Sequence, residues 1–359
     1  MASTLYPLPR HPLANISKDD AVSAIDDQPI ATTEATATEH RQAAVVYNPT
    51  KVDIDAIKAA VAREEQASEG WAETLWFETT ADDPGQGQTR DAIAAGVTLV
   101  IAAGGDGTVR AVAEAMSGSD VGLALLPSGT GNLLARNLKL TLNDLDHSIH
   151  TAFAGVDRAI DLARIRIRRE DQSVDEHVYV VMAGLGIDAK MIANTDDDLK
   201  AKAGWLAYVK AIGTVIRDNN SLRFRYRLDD QQIRAVRAHT IMVGNCGSLP
   251  ANILLMPDAA VDDGVFDVLI LKPDGILGWV QIITKVFWEN GVLRRTRLGS
   301  KLATKDVDAL HYTTGSTLSL RLNRPEEIEL DGDGFGKAVA FKTWIEPGAL
   351  NVRVPADES

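Results

Sequence analysis

Short apolar runs alternate with stretches of helical periodicity from Ala43 to about residue 155. The apolar runs lack polar alternation, which is typical of strands that are buried on both faces of a sheet. They lie at residues 45–47, 74–77, 97–102 and 121–126, and the amphipathic stretches lie at residues 54–63, 89–95 and 109–116. Strands that alternate with helices predict an α/β domain with a mainly parallel sheet.

The pattern changes after about residue 155, where arginine alternates with apolar residues at 164–168 and 223–228. Such alternation predicts antiparallel strands with one buried face and one face in water. Further strands are predicted at 317–322, 327–330, 338–344 and 350–354, and helices at 199–217 and 276–289. The chain therefore predicts a second domain, a mainly antiparallel β-sandwich-like domain with inserted helices.

Composition and charge narrow the class of protein. A chain of 359 residues that is 45% hydrophobic is long and apolar enough for two domains. The formal charge of -13 disfavours a nucleic-acid partner, because such a partner needs a basic surface. The single cysteine, Cys246, fits a reducing compartment, and no segment approaches the roughly 20 apolar residues that span a bilayer. We expect a cytoplasmic protein whose contact with a membrane, if any, is peripheral.

Three strand ends in the first domain are followed by turns rich in glycine and small polar residues. The turns are Asn48-Pro49-Thr50-Lys51, Gly104-Gly105-Asp106-Gly107-Thr108 and Pro127-Ser128-Gly129-Thr130-Gly131-Asn132. Ligands of open α/β sheets bind at the carboxyl ends of the strands, and glycine lets backbone N–H groups approach phosphate oxygens closely. Helices that begin at Thr108 and Asn132 would add their positive dipole ends. The three turns together predict a phosphate site.

Other interpretations of these turns are weaker. One such turn alone would be explained by the glycine and asparagine that short strand-to-helix connections need, but three at successive strand ends favour a ligand. The sequence has no Walker A pattern, which excludes a P-loop enzyme. Asp106 could orient a metal ion or accept a proton beside a transferred phosphoryl group.

Six motifs occur in an order that resembles a known family. They are Asn48-Pro49, residues 104–108, residues 129–132 with Ala135-Arg136, residues 184–188, Pro257-Asp258-Ala259 with Asp262-Asp263-Gly264, and Asp331-Gly332-Asp333. The set is similar to the catalytic domain of bacterial diacylglycerol kinases, related bacterial lipid kinases, and sphingosine and ceramide kinases. The resemblance covers about residues 43–354.

The resemblance implies a two-domain fold like that of NAD kinase and diacylglycerol kinase. Residues 1–42, which show no periodicity, would form a disordered extension. Residues 43–155 with about 338–359 would form the nucleotide-binding domain, and residues 156–337 the lipid-substrate domain. The implied reaction transfers the γ-phosphate of ATP to a hydroxyl of diacylglycerol or a related lipid. The implied ATP-binding residues are Asn48, Pro49, Thr50, Lys51, Thr79, Gly104, Gly105, Asp106, Gly107, Thr108, Val109, Arg110, Gly129, Thr130, Gly131 and Asn132.

Two departures from the family pattern affect the implied chemistry. The last motif of the family is usually Asp-Gly-Glu, whose Glu is taken as the base that deprotonates the lipid hydroxyl, and Asp333 stands in its place. Leu133 occupies a position where many bacterial members carry Asp, and sphingosine-kinase-like members also lack that Asp. The Gly-Gly-Asp-Gly aspartate is the favoured base in some of those relatives. Asp333 is therefore the first candidate for the base and Asp106 the second.

Residues 257–267 resemble the structural magnesium loop of the family. The resemblance places Mg²⁺ on the Asp263 carboxylate and on the carbonyl oxygens of Ala260 and Val265, and such hard oxygen ligands suit this ion. Asp161 matches a family aspartate that links the ion to the active site through water. Without the resemblance, residues 262–264 would be interpreted as a plain turn.

Several alternatives stay open from sequence. Residues 184–189 fit a dinucleotide fingerprint, but no strand with a terminal acidic residue follows at the expected spacing. The acceptor could be a sphingosine-like lipid or a glycolipid, the protein could be an NAD kinase, or it could be a catalytically silent lipid-binding regulator. A homodimer is left open.

The basic stretches permit two interpretations. The alternating arginines at 164–168 and 223–227 are interpreted first as solvated faces and second as contacts to anionic lipids. A further basic group at 294–301 follows Trp279, Phe287 and Trp288, and it fits either a helix at a membrane surface or core packing.

Overall fold

A computed structural model describes residues 41–68, 70–186, 221–249, 253–275, 278–279, 281–282 and 309–356. The predicted helix at 199–217 lies outside these residues, as do most of the predicted helix at 276–289 and nearly all of the predicted N-terminal extension. In the part of the chain that is described, no helix has the length and apolar character needed to cross a bilayer.

The first domain is built from a parallel sheet flanked by helices. The strands are β1 (Ala43–Tyr47), β2 (Leu75–Glu78), β3 (Leu99–Gly104) and β4 (Gly122–Pro127), and the helices are α1 (Ile54–Ala67), α2 (Gln86–Ala94), α3 (Asp106–Met116), α4 (Leu133–Asn137) and α5 (Leu145–Ala154). The strands pair in parallel in the order β2-β1-β3-β4. All six residues of β3 are buried, as expected for a strand covered on both faces.

Aspartate caps fix where two of these helices begin. The Asp53 carboxylate accepts the Ala56 N–H at 3.1 Å before α1, and the Asp144 carboxylate accepts the His147 N–H at 3.0 Å before α5. Each cap satisfies an N–H group that has no partner inside its helix. The helices therefore return to the sheet at defined positions.

The second domain consists of antiparallel strands. They are β5 (Val156–Arg168), β6 (Val174–Tyr179), β7 (Met182–Leu185), β8 (Leu222–Leu228), β9 (Arg234–Ala238), β10 (Thr240–Gly244), β11 (Ser248–Leu249), β12 (Ile253–Leu254), β13 (Phe266–Leu271), β14 (Leu310–Gly315), β15 (Thr317–Leu330) and β16 (Asp333–Val354). Their inward-facing side chains form one apolar cluster that includes Phe224, Phe266 and Phe341. The cluster packs two layers of strands together as a sandwich.

Two pairs of predicted strands are wrong as separate elements. Residues 317–322 and 327–330 belong to one strand, β15, and residues 338–344 and 350–354 belong to one strand, β16. The pairing shifts register between Arg321 and Glu326 and between Glu346 and Leu350. These segments contain Pro325 and Pro347, which a bulge accommodates without ending the ladder.

The C-terminal strand joins the two domains. β16 pairs with β5 in antiparallel register and with β4 in parallel at Val352 and Leu123. Within the described residues, all strands except β11 and β12, which pair with each other, thus form one 14-stranded sheet. This continuity fixes the β15–β16 turn, which carries Asp331 and Asp333, relative to the ends of the parallel strands.

Candidate active site at the carboxyl ends of the parallel strands

The three glycine-rich and polar turns lie side by side at one edge of the parallel sheet. The Asn48 N–H donates to the Ala103 carbonyl at 2.9 Å, and the Ser128 N–H donates to the Gly104 carbonyl at 3.2 Å. These bonds continue the pairing of β1, β3 and β4 beyond the strands. The predicted convergence of the turns is therefore present in the structure.

The turns after β3 and β4 approach too closely for side chains. A Cβ atom on Gly129 would lie 2.9 Å from the Gly105 Cα, and one on Gly104 would lie 2.6 Å from the Thr108 Oγ1. Real Cβ atoms essentially never approach that closely. Gly129 thus lets the backbones of the two turns come together, as a backbone-lined phosphate site needs, and Gly104 leaves room for the Thr108 side chain.

Asp106 ties the same two turns together. Its carboxylate accepts the Asn132 N–H at 3.0 Å and the Leu133 N–H at 2.6 Å. A Cβ atom on Gly131 would overlap the Asp106 Oδ2. Burial raises the pKa of Asp106 above its ordinary value, although the two N–H donors oppose the shift. Both carboxylate oxygens are thus engaged in holding the turn after β4.

The helices at these turns begin elsewhere than predicted. α3 begins at Asp106 rather than Thr108, because the extended Gly105 is its N-cap. α4 begins at Leu133, because Asn132 is in the left-handed conformation with a φ of 46°. The Asn132 Oδ1 accepts the Gly129 N–H at 2.9 Å, which stabilises that conformation. Leu133, one of the two departures from the family pattern, is buried and points into the core.

The turn after β1 is closed by its own side chains. The Asn48 Oδ1 accepts the Thr50 N–H at 3.0 Å and the Thr50 hydroxyl at 2.8 Å. Pro49, Thr50 and Lys51 are exposed at this edge. Thr79, at the end of β2, is buried, and its N–H donates to the Tyr47 carbonyl at 2.9 Å.

Asp333 reaches the first turn of α3 from the second domain. Its Oδ2 lies 3.3 Å from the Arg110 Nη2, and a Cβ atom on Gly107 would lie 2.9 Å from the same oxygen. The Arg110 guanidinium lies 4.5 Å from the centre of the Phe335 ring. The Arg110 side chain is 7% exposed and that of Asp333 is 53% exposed. Asp333 is therefore open to solvent beside the backbone-lined turns, held by a buried arginine.

Asp331 anchors the turn that carries Asp333. Its carboxylate accepts the N–H groups of Val180, Val181 and Met182 at 2.8 to 2.9 Å. Burial raises the pKa of Asp331 to about 6, against the effect of these donors. Asp331 has a φ of 50° and Gly332 a φ of 88°, so the chain turns through the left-handed region here. The sequence predicts Asp331 only as part of the Asp-Gly-Asp motif. The one signal for its anchoring role is the preference of Asp-Gly for turns.

The proposed metal loop is held by Asp161. The Asp161 carboxylate accepts the Gly264 N–H at 2.6 Å and the Gly348 N–H at 2.8 Å, and the Asp161 N–H donates to the Val261 carbonyl at 2.7 Å. Asp161 is buried, which explains its full set of partners. The bonds join β5, the loop and β16.

The acidic groups of this loop suit a cation. Burial and the charges of Asp263 and Asp258 raise the pKa of Asp267 to about 6. The Asp263 Oδ1 accepts the Val265 N–H at 3.2 Å, and the Asp263 side chain is otherwise exposed. In the described segments no group of three or more His, Cys, Asp or Glu side chains has metal-ligand geometry, so a bound ion would depend on carbonyl oxygens. Oxygen donors and excess negative charge are what a hard divalent cation prefers.

The structure decides two weaker sequence signals, the dinucleotide fingerprint at residues 184–189 and the alternating arginines of β5. Gly184 and Leu185 lie in β7, which pairs in antiparallel register with β10 and β15. The dinucleotide fingerprint, which needs a parallel strand in a βαβ unit, is therefore wrong here. On β5, Arg164 forms ion pairs with Glu176 and Glu346, and Arg166 pairs with Glu176. Residues 294–301 lie outside the described residues.

Comparison with known proteins decides the family. The model of the diacylglycerol kinase catalytic domain matches residues 42–165, and the model of the YegS C-terminal NAD kinase beta sandwich-like domain matches residues 180–354. A "Probable lipid kinase YegS-like" of Pseudomonas aeruginosa (strain UCBPP-PA14) is 30% identical over 307 residues, which cover 84% of this chain and 90% of that protein. The chain belongs to the diacylglycerol kinase catalytic domain family. A protein with the same description from Pseudomonas fluorescens (strain Pf-5) is 28% identical and covers 88% of this chain and 96% of its own length.

Solved structures support the fold. The crystal structure of a putative diacylglycerol kinase from Bacillus anthracis str. Sterne matches with a TM-score of 0.65 at 20% identity, covering 91% of this chain and 99% of that one. The two-domain α/β fold and the family resemblance predicted from sequence are thus confirmed. Membership of this lipid kinase family implies ATP as co-substrate and, typically, a divalent metal ion.

Proposed function

We propose that this member of the family is an ATP-dependent lipid kinase that phosphorylates a hydroxyl of diacylglycerol or a related lipid. One observation carries the proposal: three turns rich in glycine and small polar residues lie side by side at one edge of the parallel sheet, and the other domain presents Asp333 to the first turn of α3. This arrangement places a candidate anion site and a carboxylate side by side. Family membership supplies the reaction class.

The turns would bind the phosphates of ATP. The backbone N–H groups of these turns supply donors, apart from those of Gly129 and Asn132, which donate to Asn132 and Asp106 inside the protein. α3 adds the positive end of its dipole. Val109 and Arg110 follow in the first turns of α3, Asn48, Pro49, Thr50 and Lys51 would border the nucleotide from the end of β1, and Thr79 would border it from the end of β2. Most of the rate gain in such a transfer comes from positioning and electrostatics.

Asp333 is proposed as the base that accepts the proton of the lipid hydroxyl. Its side chain is half exposed and lies beside the first turn of α3. Both oxygens of Asp106 accept backbone N–H groups, so a proton transferred to Asp106 would disrupt the turn that binds phosphate. Asp106 is therefore assigned to holding the site, and Asp333 to proton transfer.

A magnesium ion is proposed in the loop that follows Asp258. It would be held by the Asp263 carboxylate and the carbonyl oxygens of Ala260 and Val265, and it would supply positive charge among three acidic side chains. Asp161 would keep the loop in place through its bonds to Gly264 and Gly348. Removal of divalent ions should lower both melting temperature and activity.

A phosphorylation assay on a lipid panel tests the proposal. The purified protein is incubated with Mg²⁺, [γ-³²P]ATP and mixed micelles that contain diacylglycerol, monoacylglycerol, a sphingoid base or a glycolipid, and products are identified by mass spectrometry. We expect one class to gain a mass of one phosphate. Binding of every lipid without transfer would instead indicate a silent lipid-binding protein, and transfer to NAD would indicate an NAD kinase.

A further inference from the structure

Four adjacent strands of the second domain carry a group of exposed cations on their outer face. The group, called the basic face below, consists of Arg223, Arg225, Arg227, Arg237, Arg321 and Lys342. These residues lie on β9, β8, β15 and β16, which pair in this order. Neighbouring strands lie about 4.8 Å apart, so the face is roughly 15 Å wide.

The alternation of the strands fixes the direction of these side chains. Leu222, Phe224, Tyr226 and Leu228 of β8 are buried in the sandwich, so the arginines between them must point to solvent. Leu320 of β15 is buried in the same way. A slip of one residue would expose the core, so the register that displays the cations is strongly fixed.

The basic face contains two arginine pairs in direct opposition. Arg225 lies opposite Arg321 on β15, and Arg223 lies opposite Arg237 on β9. Like charges at directly opposed positions destabilise a sheet. None of the six cations forms an ion pair with a described residue, although Arg237 donates to the Ser221 hydroxyl. Fold stability alone therefore does not account for the arrangement.

On the neighbouring β5, two of the three alternating arginines are neutralised. Its Arg164 and Arg166 are paired with Glu176 and Glu346. By contrast, residues 222–228, 234–238, 317–322 and 340–344 contain no Asp or Glu. In a chain of formal charge -13, this absence of acids concentrates positive charge on one surface.

We propose that the basic face is the surface by which the protein docks on an anionic lipid bilayer. A broad layer of cations on a rigid sheet complements a negatively charged membrane surface, and each cation near such a surface contributes appreciably. Trp344, half-buried on the same side of β16, lies 5.9 Å from the Lys342 Nζ and suits the interface between water and lipid. The proposal rests on the proposed lipid kinase activity for its purpose, because the acceptor of such an enzyme resides in a membrane.

Vesicle binding tests the proposal without reference to catalysis. The full chain is sedimented with vesicles of phosphatidylcholine alone or of phosphatidylcholine with 30 mol% phosphatidylglycerol, a fraction of about one third that gives an anionic surface. The test variant is Arg223→Gln/Arg225→Gln/Arg227→Gln. The matched control is Lys58→Gln/Arg90→Gln/Lys139→Gln, which removes three exposed cations of the first domain that likewise form no ion pair with a described residue.

We expect the wild type and the control to partition onto the anionic vesicles and the test variant to lose at least about tenfold in partition coefficient. Binding should fall as salt rises, because screening shortens the reach of these charges. Equal binding of the test variant and the wild type would overturn the proposal, as would an equal loss in the control. Preferential capture of a short RNA duplex, with no vesicle binding, would assign the face to nucleic acid and also overturn it.

Activity on a soluble acceptor separates this proposal from the proposed function. With a short-chain lipid in detergent micelles, the test variant should turn over like the wild type while losing activity on anionic vesicles. If the wild type bound anionic vesicles through this face but phosphorylated no lipid, the docking surface would stand and the proposed reaction would fail. Equal activity losses on micelles and vesicles would overturn the docking role.

Discussion

Two turns at the candidate active site, the one after β3 and the one between β15 and β16, differ in the role of their carboxylates. In the turn after β3, Asp106 is half-buried and accepts two backbone N–H groups. In the turn between β15 and β16, Asp331 accepts three, while Asp333, two residues further on, is half exposed beside Arg110. The contrast separates carboxylates that build the site from the one that is free to react.

This difference shows why a shared motif does not assign a role. Asp106 lies in the most distinctive motif of the chain, yet its oxygens are saturated by the backbone. Asp333 departs from the family's usual Glu, yet it alone of the three aspartates faces solvent. A carboxylate that holds buried N–H donors is expensive to remove, whereas an exposed one costs the fold little.

The largest expected effect comes from Asp333→Asn. Losing a general base should lower kcat about 10³-fold, while the free energy of unfolding should change by less than about 0.5 kcal/mol. Asp333→Glu, which restores the family's usual residue, should stay within about tenfold of wild type if the backbone leaves room for one methylene. Steady-state kinetics on the preferred lipid and urea unfolding measure both quantities.

Asp106→Asn provides the counterpart. It should lower the free energy of unfolding by about 2 kcal/mol, because one of the two N–H groups that the Asp106 carboxylate accepts loses its acceptor. If Asp333→Asn kept most of its activity while Asp106→Asn unfolded normally and was inactive, the roles assigned to the two aspartates would have to be exchanged.

Asp331→Ala should give the next largest effect, a loss of about 3 kcal/mol in the free energy of unfolding at pH 5. Three buried N–H groups lose their acceptor, and each unsatisfied group is costly. The three N–H groups that Asp331 accepts belong to Val180, Val181 and Met182, outside the proposed phosphate site, so activity per folded molecule should fall mainly as far as Asp333 is displaced. Urea unfolding of Thr343→Ala gives a comparison with a smaller loss, because two groups, the Arg164 carbonyl and the Tyr179 hydroxyl, lose a hydrogen-bond partner instead of three.

The loss in the free energy of unfolding caused by Asp331→Ala should become smaller as pH rises. Burial raises the pKa of Asp331 from 3.8 to about 6, so folding favours the protonated form. The stability that this preference contributes to the folded state is fully present below the unfolded pKa. It is lost as pH rises through about 6, to a maximum of about 3 kcal/mol. The difference between wild type and Asp331→Ala should therefore shrink from pH 4 to pH 7. A difference that widened over this range would show that the N–H donors outweigh burial.

Sequence predicted the parts of this comparison that depend on local pattern. The parallel strands followed from apolar runs without alternation, and the convergence of the glycine turns followed from the rule that carboxyl ends of parallel strands share one edge. The role of Asp331 could not be predicted, because its partners at Val180 to Met182 lie about 150 residues away in the chain. The Arg110–Asp333 pair, 223 residues apart, depends on the same long-range folding.

The bounds of the long strands β15 and β16 were predicted wrongly for a different reason. Pattern analysis ends a strand where proline or a break in alternation occurs, and it divided β15 and β16 at such points. In the structure the backbone pairing resumes after each irregularity, because the neighbouring strands continue on both sides. Alternation can identify paired segments, but it cannot tell whether a bulge or a turn separates them.

Gly131→Ala tests whether the turn after β4 depends on its contact with Asp106. We expect an effect smaller than that of Asp331→Ala. The added methyl group would overlap the Asp106 Oδ2 and push the carboxylate away from its N–H donors. We expect a loss of about 2 kcal/mol in stability and weaker ATP binding. Gly184→Ala is the control, because a Cβ atom there would meet its nearest neighbour at 3.6 Å, an ordinary contact. Similar losses in both variants would show that the close approach at Gly131 is unimportant.

Arg110→Lys should have the smallest effect, because it keeps the charge beside Asp333 but loses the planar group that stacks on Phe335. Lysine is a mobile point charge and would hold Asp333 less firmly, so kcat/KM should fall about tenfold with little change in stability. Arg164→Lys is the matched control, because Arg164 of β5 is also paired with a carboxylate, that of Glu346. It should leave kcat/KM unchanged. If both variants kept full activity, the exposed carboxylate would need no positioning, and the contrast between the two turns would rest on Asp106 and Asp331 alone.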